Sequence, residues 1–395
     1  MTDFHCIVTT PQLPAPTPEA AAASQQLIER IRAAIESAGG WLPFDAYMRM
    51  ALYEPGLGYY SGGATKFGEA GDFVTAPEMS PLFGACVAET AAATLAALDG
   101  GDVLEFGAGT GVLAAQILAE LERLGQLPTR YCIVDLSGEL KERQHATLAT
   151  RVPHLLERVV WLDALPENFR GFVVANEVLD AIPCALIATD DDGTPRQRGV
   201  VWQDGFQWQD RPLPAGPLLD AAEELDLPPG YITEISLEAR GFTASIAGLL
   251  EAGTALLIDY GFPAREYYHP ERHMGTLLGH YRHHTIHDPF FLPGLTDLTC
   301  HVDFSAIFEA GTEAGMLLEG YVSQAQYLLD AGLLSRLEAL GADNTALYLP
   351  AVAAVQKLSS PAEMGELFKA IVFSKNLVLP ALLPGFRQAD ESYRL

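Results

Sequence analysis

The chain has 395 residues, 49% apolar and 19% charged, which describes a folded globular protein with length for one large or two ordinary cores. Its 24 basic and 51 acidic side chains give a formal charge of −27, which argues against a phosphate-tracking nucleic-acid binder and suits a cationic substrate. No apolar run is long enough to span a membrane, and the N-terminal stretch before Pro18 lacks Lys and Arg, so neither a secretory signal nor a transit peptide is expected.

Residues 1–18, with prolines at 11, 14, 16 and 18, read as a disordered tail. Residues 19–79 read as a helical cap and a glycine-rich loop. An Ala-rich helix from Glu19 to Ala38 places Leu27, Ile28, Ile31 and Ile35 at helical spacing and stops at Gly39-Gly40. A second helix starts at Phe44. Between Tyr53 and Gly71 the glycines Gly56, Gly58, Gly62, Gly63, Gly68 and Gly71 make a loop. This loop is either a cover over a ligand mouth or a plain surface connection. Thr75 with Glu78 has capping-box spacing, with Pro77 in the first turn of the helix carrying Leu82, Phe83, Cys86, Val87 and Leu95.

From residue 80 onward strands and helices alternate. The first strand, Asp102 to Phe106, breaks into Gly107-Ala108-Gly109-Thr110-Gly111, and a helix follows from Val112 to Leu124. Strand, glycine turn and helix open a doubly wound α/β fold, whose ligands bind at the strand ends. Counted from Gly107, the dinucleotide fingerprint G-x-G-x-x-G/A fails at Val112; counted from Gly109 it matches through Ala114. Glu105 tips the balance, because a carboxylate there suits an ammonium or sulfonium ligand and opposes a pyrophosphate. The residues favour S-adenosylmethionine, with a nicotinamide site and a purely structural glycine turn as the other readings.

Strand two, Tyr131 to Val134, ends at Asp135, 24 residues after Gly111, where such folds place an acid on ribose hydroxyls. The other reading is a turn cap with Ser137. A helix from Glu139 to Thr150 leads to a strand, Val159 to Leu162, ending in Asp163, an acceptor for an adenine amino group. Strand four, Gly171 to Ala175, ends in Asn176-Glu177 with Asp180 close behind. Insertions are expected near residues 185–232 and 262–302. The first reads as antiparallel strands turning at Asp190–Gly193 and Asp204-Gly205, then a Pro-rich linker to Gly230. A helix from Leu237 and strand five, Thr254 to Ile258, precede the second.

The second insertion holds His269, His273, His280, His283, His284, His287 and His301, seven of the ten histidines. The pairs His280/His284 and His283/His287 have metal spacing only if helical, whereas Pro289, Pro293 and the glycines argue for a loop, so no metal is expected. Asp303 opens a helix. Strands at Met316–Val322 and Leu367–Phe373, separated by helices, give a late antiparallel pair beside five parallel strands. The five cysteines, Cys6, Cys86, Cys132, Cys184 and Cys300, form no C-x-x-C pair and read as reduced core residues of a cytoplasmic protein.

Six blocks carry a resemblance: Gly58-Tyr59-Tyr60, Gly71 to Glu78, Glu105 to Gly111, Asn176 to Pro183, Asp259-Tyr260-Gly261 and Asp297 to Phe304. In this order the chain resembles the MidA family of class I methyltransferases, whose mitochondrial members assist respiratory complex I assembly. The resemblance implies a Rossmann-like α/β fold with a mostly parallel seven-stranded sheet, a late antiparallel hairpin, an N-terminal helical cap and an inserted substrate lobe. It implies S-adenosyl-L-methionine as cofactor and, as activity, arginine N-methylation of a protein, with a respiratory complex I subunit as substrate. Departures are Ala108 where the family more often has Pro, and Asp135-Leu136-Ser137 where it often has Glu-Ser-Ser. The expected partners are a protein segment with a target arginine, a complex I type subunit among the candidates, and a second copy in a homodimer, with no nucleic acid and no membrane insertion. A bacterial cytoplasm is the expected compartment, or the mitochondrial matrix for a eukaryotic chain.

The expected cofactor-binding residues are Asp72, Thr75, Glu105, Gly107, Gly109, Gly111, Asp135, Ser137, Asp163 and Asn176. Glu177 and Asp180 are expected to hold a guanidinium, with His301 or Asp303 as proton acceptor. Helix capping is the competing role for Asp180 and Asp303. A small-molecule methyltransferase, a non-catalytic assembly factor and a nicotinamide enzyme remain open on the residues.

Overall fold

The structure is a computed structural model that describes residues 13–62, 75–135, 138–341 and 345–395. Its central sheet has seven main strands: β1 (Asp102–Phe106), β2 (Tyr131–Val134), β3 (Val159–Leu162), β4 (Phe169–Asn176), β5 (Leu250–Phe262), β6 (Leu317–Ser323) and β7 (Phe368–Lys375). They lie in the order β6-β7-β5-β4-β1-β2-β3. The five from β5 to β3 run parallel, while β7 is antiparallel to both β5 and β6. The β6–β7 pair is therefore a hairpin in pairing only, because helices rather than a tight turn join its strands.

Strand β1 is buried along its whole length, as a central parallel strand covered on both faces must be. On one face, helices α3 (Pro81–Ala97) and α4 (Val112–Arg123) bring Phe83, Val87, Ile117 and Leu121 into a core with Val103 and Phe172. On the other face, α6 (Leu237–Leu249) and α7 (Phe304–Glu313) pack Ile246, Ala247, Phe304 and Ile307 against Leu104, Val173 and Leu257. Helix α5 (Gly138–Arg151) lies beside α4 and sends Leu148 into the first core.

The N-terminal helices α1 (Pro18–Ser37) and α2 (Phe44–Tyr53) build a third core with the first insertion. Leu27, Ile31, Phe44 and Met48 meet Leu186 and Val200 of the inserted antiparallel strands and Leu298 of the second insertion. The inserted strands are Ala185–Thr189, Pro195–Trp202, Phe206–Pro212 and Ile232–Ile235, with Leu42–Pro43 paired to the second.

Four local expectations are corrected. Of the proline-rich tail, residues 1–12 lie outside the described residues, but the Ala15 carbonyl accepts from Arg282, Thr17 caps α1 and Pro18 begins it. The Thr75–Glu78 capping box does not form. Residues Ala76–Met79 make one short turn, Ser80 caps α3 instead, and the Glu78 carboxylate accepts from Thr110 in the glycine turn at 2.6 Å. The Pro-rich linker contains a helix, Pro217–Glu224, begun by a proline that needs no N–H partner there. The histidine-rich loop holds a small sheet, Leu278–Tyr281, His284–Ile286 and Asp297–Thr299, because strand pairing satisfies backbone groups that a buried loop would leave open.

Candidate active site

The C-terminal ends of β1, β2 and β4 open into a cavity of about 710 Å³. The glycine turn forms its floor. Gly107, Gly109 and Gly111 all have positive φ, at 64°, 52° and 81°, a region in which a side chain would be strained. Gly111 has a second constraint: a Cβ there would stand 2.9 Å from Cα of Gln144 in α5. Bare backbone thus lies against the cavity while α4 and α5 remain close-packed.

Glu105, near the end of β1, is only 2% exposed and accepts from the Tyr131 hydroxyl at 2.7 Å. Burial pushes its carboxyl up to about 8; the tyrosine opposes that shift, and Asp135 adds to it. Asp135 accepts from Gln144 Nε2 at 2.8 Å, and the same amide donates to the Gly109 carbonyl. Gln144 Oε1 in turn accepts from Trp161. One fully buried glutamine thereby ties the acid at the end of β2 to the glycine turn.

After β4 the backbone turns through Glu177, whose φ of +55° is unusual for a residue with a Cβ. Glu177 Oε1 accepts from the Ala76 amide and from Asn176 Nδ2. Burial, then the nearby Asp180 charge, pushes its carboxyl up to about 7. Asp180 accepts from Tyr260 at 2.6 Å, and burial raises it to about 6. Two acceptor atoms in this wall, Asn176 Oδ1 and Asp180 Oδ1, are buried and receive no hydrogen bond from the described residues. No Lys or Arg among the described residues forms an ion pair with Glu105, Glu177 or Asp180.

Thr75, Glu105, Gly107, Gly109, Asp135, Asn176, Glu177 and Asp180 all line the cavity. Gly111 lies behind the wall. Asp72 and Ser137 lie outside the described residues. Three expected residues do not line this cavity. The Asp163 side chain is 91% exposed and pairs with Lys141. His301 and Asp303 line a separate, small pocket with Tyr268 and Arg240. Asp303 caps α7 and accepts from Tyr268, and burial lowers His301 to about 4. Neither lines the main cavity.

Other lining residues were absent from the expected set. Tyr53 and Tyr60 reach in from the cap with their rings stacked 5.5 Å apart. Tyr53 donates to the Ala181 carbonyl and Tyr60 to Asp297. Among the described residues no group of three His, Cys, Asp or Glu side chains is arranged to hold a metal. His280 and His284 lie on paired strands rather than on one helix.

The donor set fits S-adenosylmethionine. Buried carboxyls and an unpaired amide oxygen can receive an ammonium, and an acid at the next strand end can receive ribose hydroxyls. The comparisons with known proteins agree with this chemistry. Residues 86–322 match the model of a family of S-adenosyl-L-methionine-dependent methyltransferases. A COG1565 superfamily protein from Burkholderia thailandensis, solved bound to S-adenosyl-homocysteine, is 49% identical, with a TM-score of 0.94, over 97% of this chain and 100% of that one. The protein arginine methyltransferase NDUFAF7 of Danio rerio is 28% identical over 82% of this chain and 81% of its own. The Drosophila melanogaster homolog is 29% identical over 91% and 89%. The chain belongs to the MidA family of S-adenosyl-L-methionine-dependent methyltransferases.

Proposed function

We propose that the methyl acceptor is an arginine guanidinium on a protein. The observation that carries this reading is the pair Glu177 and Asp180: two carboxyls facing one cavity, with no cationic partner among the described residues. A planar cation with several N–H donors answers that deficit. S-adenosylmethionine, when bound, supplies an electrophilic methyl group. Glu105 and Asn176 would hold its ammonium, and Asp135, oriented by Gln144, its ribose hydroxyls.

On this reading Glu177 and Asp180 accept N–H bonds from the guanidinium and draw its positive charge to the nitrogens they hold. A third nitrogen is then more nucleophilic. As its bond to the methyl carbon forms and the carbon–sulfur bond breaks to leave a neutral thioether, the guanidinium gives up a proton from a nitrogen that Glu177 holds. Glu177, with its carboxyl pushed to about 7, is suited to receive it near neutrality. Tyr53 and Tyr60 close the cap side of the cavity and limit water there.

The names of the NDUFAF7 relatives support a protein arginine as acceptor. A respiratory complex I type subunit is the substrate that the family resemblance implies, and a homodimer its assembly. Cytoplasmic action belongs to the same proposal and suits the buried free thiols Cys86, Cys132, Cys184 and Cys300. The test is proteome-wide mass spectrometry of a deletion strain. An arginine site should lose methylation, regain it with the wild-type chain and stay unmodified with Glu177→Gln. Restoration by Glu177→Gln, or methyl label found only on small molecules, overturns the reading.

A further inference from the structure

The end of β5 carries a fully buried acid with an unusual set of partners. Asp259 Oδ2 accepts from three successive backbone amides, Val178, Leu179 and Asp180, at 3.1, 2.8 and 3.2 Å. Its Oδ1 accepts from the Tyr260 amide at 2.9 Å. One residue earlier, the Ile258 carbonyl accepts from the Glu177 amide at 2.9 Å. The next residue, Tyr260, donates through its hydroxyl to Asp180. Three consecutive residues of β5 therefore grip the turn that follows β4, at its backbone entry, along its amides and through a side chain.

Such a grip has a physical need. Glu177 has φ of +55°, which a residue with a Cβ adopts only when its surroundings compel it. The amides that follow point inward, where each would cost free energy if left unpaired. One carboxyl oxygen answers all three. An apolar side chain in its place would leave them without that acceptor.

We propose that Asp259 is a positioning residue: its carboxyl group, through the Val178, Leu179 and Asp180 amides, holds the turn that aims Glu177 and Asp180 at the acceptor subsite. The naming of that subsite rests on the arginine reading above; the cradle does not. The groups that face it are Glu177 and Asp180 on the turn, Tyr260 on its own strand and Lys369 opposite it on β7. The Lys369 ammonium is turned away to the Glu366 carbonyl, and the His301 ring packs against Tyr260. Burial, then the Asp180 and Glu177 charges, raise the Asp259 carboxyl well above the usual carboxylate range, and its amide donors oppose that rise, so Asp259 acts on the turn through hydrogen bonds.

The test is hydrogen exchange of the full chain without ligand. In the wild type the Val178, Leu179 and Asp180 amides should be protected like the interior of β5. Asp259→Ala should speed their exchange by about tenfold or more and leave the β5 interior protected, and Asp259→Asn, which keeps an acceptor oxygen, should restore most of the protection. The exposed control Asp191→Asn should change nothing at these amides. Wild-type protection in Asp259→Ala, or the same loss in Asp259→Asn as in Asp259→Ala, overturns the proposal. Should Asp259→Ala not fold, the wild type and Asp259→Asn decide: exchange of the three amides at open-loop rates in either one overturns it. No measurement uses an acceptor, so failure of the arginine reading leaves these outcomes intact.

Discussion

Two concavities of nearly equal volume occur in the molecule, and they differ in how their acids are balanced. The strand-end cavity encloses about 710 Å³ and a groove beside α3 and α4 about 730 Å³. In the groove Arg336 bonds to both Glu89 and Glu120, and Glu120 also pairs with Arg123. Burial raises Glu120, but its bonds from Arg123 and Arg336 more than reverse this, so its carboxyl lies below the ordinary value. In the strand-end cavity burial acts without such compensation, and Glu105 and Glu177 rise to about 8 and 7. Volume does not distinguish a site from a crevice here; charge left for a guest to complete does.

The largest expected effect is on that unbalanced side. Glu177→Gln should lower methyl transfer by about a hundredfold or more while S-adenosylhomocysteine binding, measured by calorimetry, changes little. Wild-type turnover from this variant would break the comparison. On the balanced side, Arg336→Met should cost about 2 kcal/mol in denaturant unfolding, because Glu120 loses a partner while partly buried. Cofactor binding should be unmoved, and Glu120→Gln in the same chain should recover part of the loss.

Glu105→Gln should weaken S-adenosylhomocysteine by about tenfold, the size of one charge-assisted hydrogen bond. The pH dependence is a further test. Glu105 has its folded pKa raised from 4.5 to about 8, so its ionisation penalty is absent in acid and grows as pH rises through that window. A ligand ammonium should relieve it, so S-adenosylhomocysteine should raise the melting temperature more at pH 8 than at pH 5. Equal increments would show that Glu105 does not meet the ammonium. The smallest effect belongs to Asp163→Ala, which removes only an exposed ion pair and should change cofactor affinity by less than about twofold.

The strand-end positions of this site are written locally. An apolar run that stops at glycines, or at an acid followed by a helix, marks both a strand and its C-terminal end, so Glu105, Asp135 and Asn176 could be read without a fold. What could not be read depends on contacts distant in the chain. Gln144 is a polar residue in a polar helix, and nothing local says that Trp161 and Asp135 will enclose it. Asp303 and His301 lie in a block that resembles the family, but the path between β5 and α7 takes them to another pocket. Asp163 ends a strand as Asp135 does, yet Lys141 draws it outward. Tyr53 and Tyr60 border and occupy a stretch that reads as a glycine-rich loop, and only the folded cap brings them to the cavity.

Glu177 combines two costs at one position: a backbone conformation that suits glycine and a carboxyl held away from water without an ion pair among the described residues. Glu177→Gly would remove both. A selection for thermal tolerance alone would therefore favour the exchange, while a selection for turnover would reject it. Laboratory evolution of this chain toward heat resistance should carry an activity screen in every round, since the most accessible stabilising change at this turn is also the one that empties the acceptor wall.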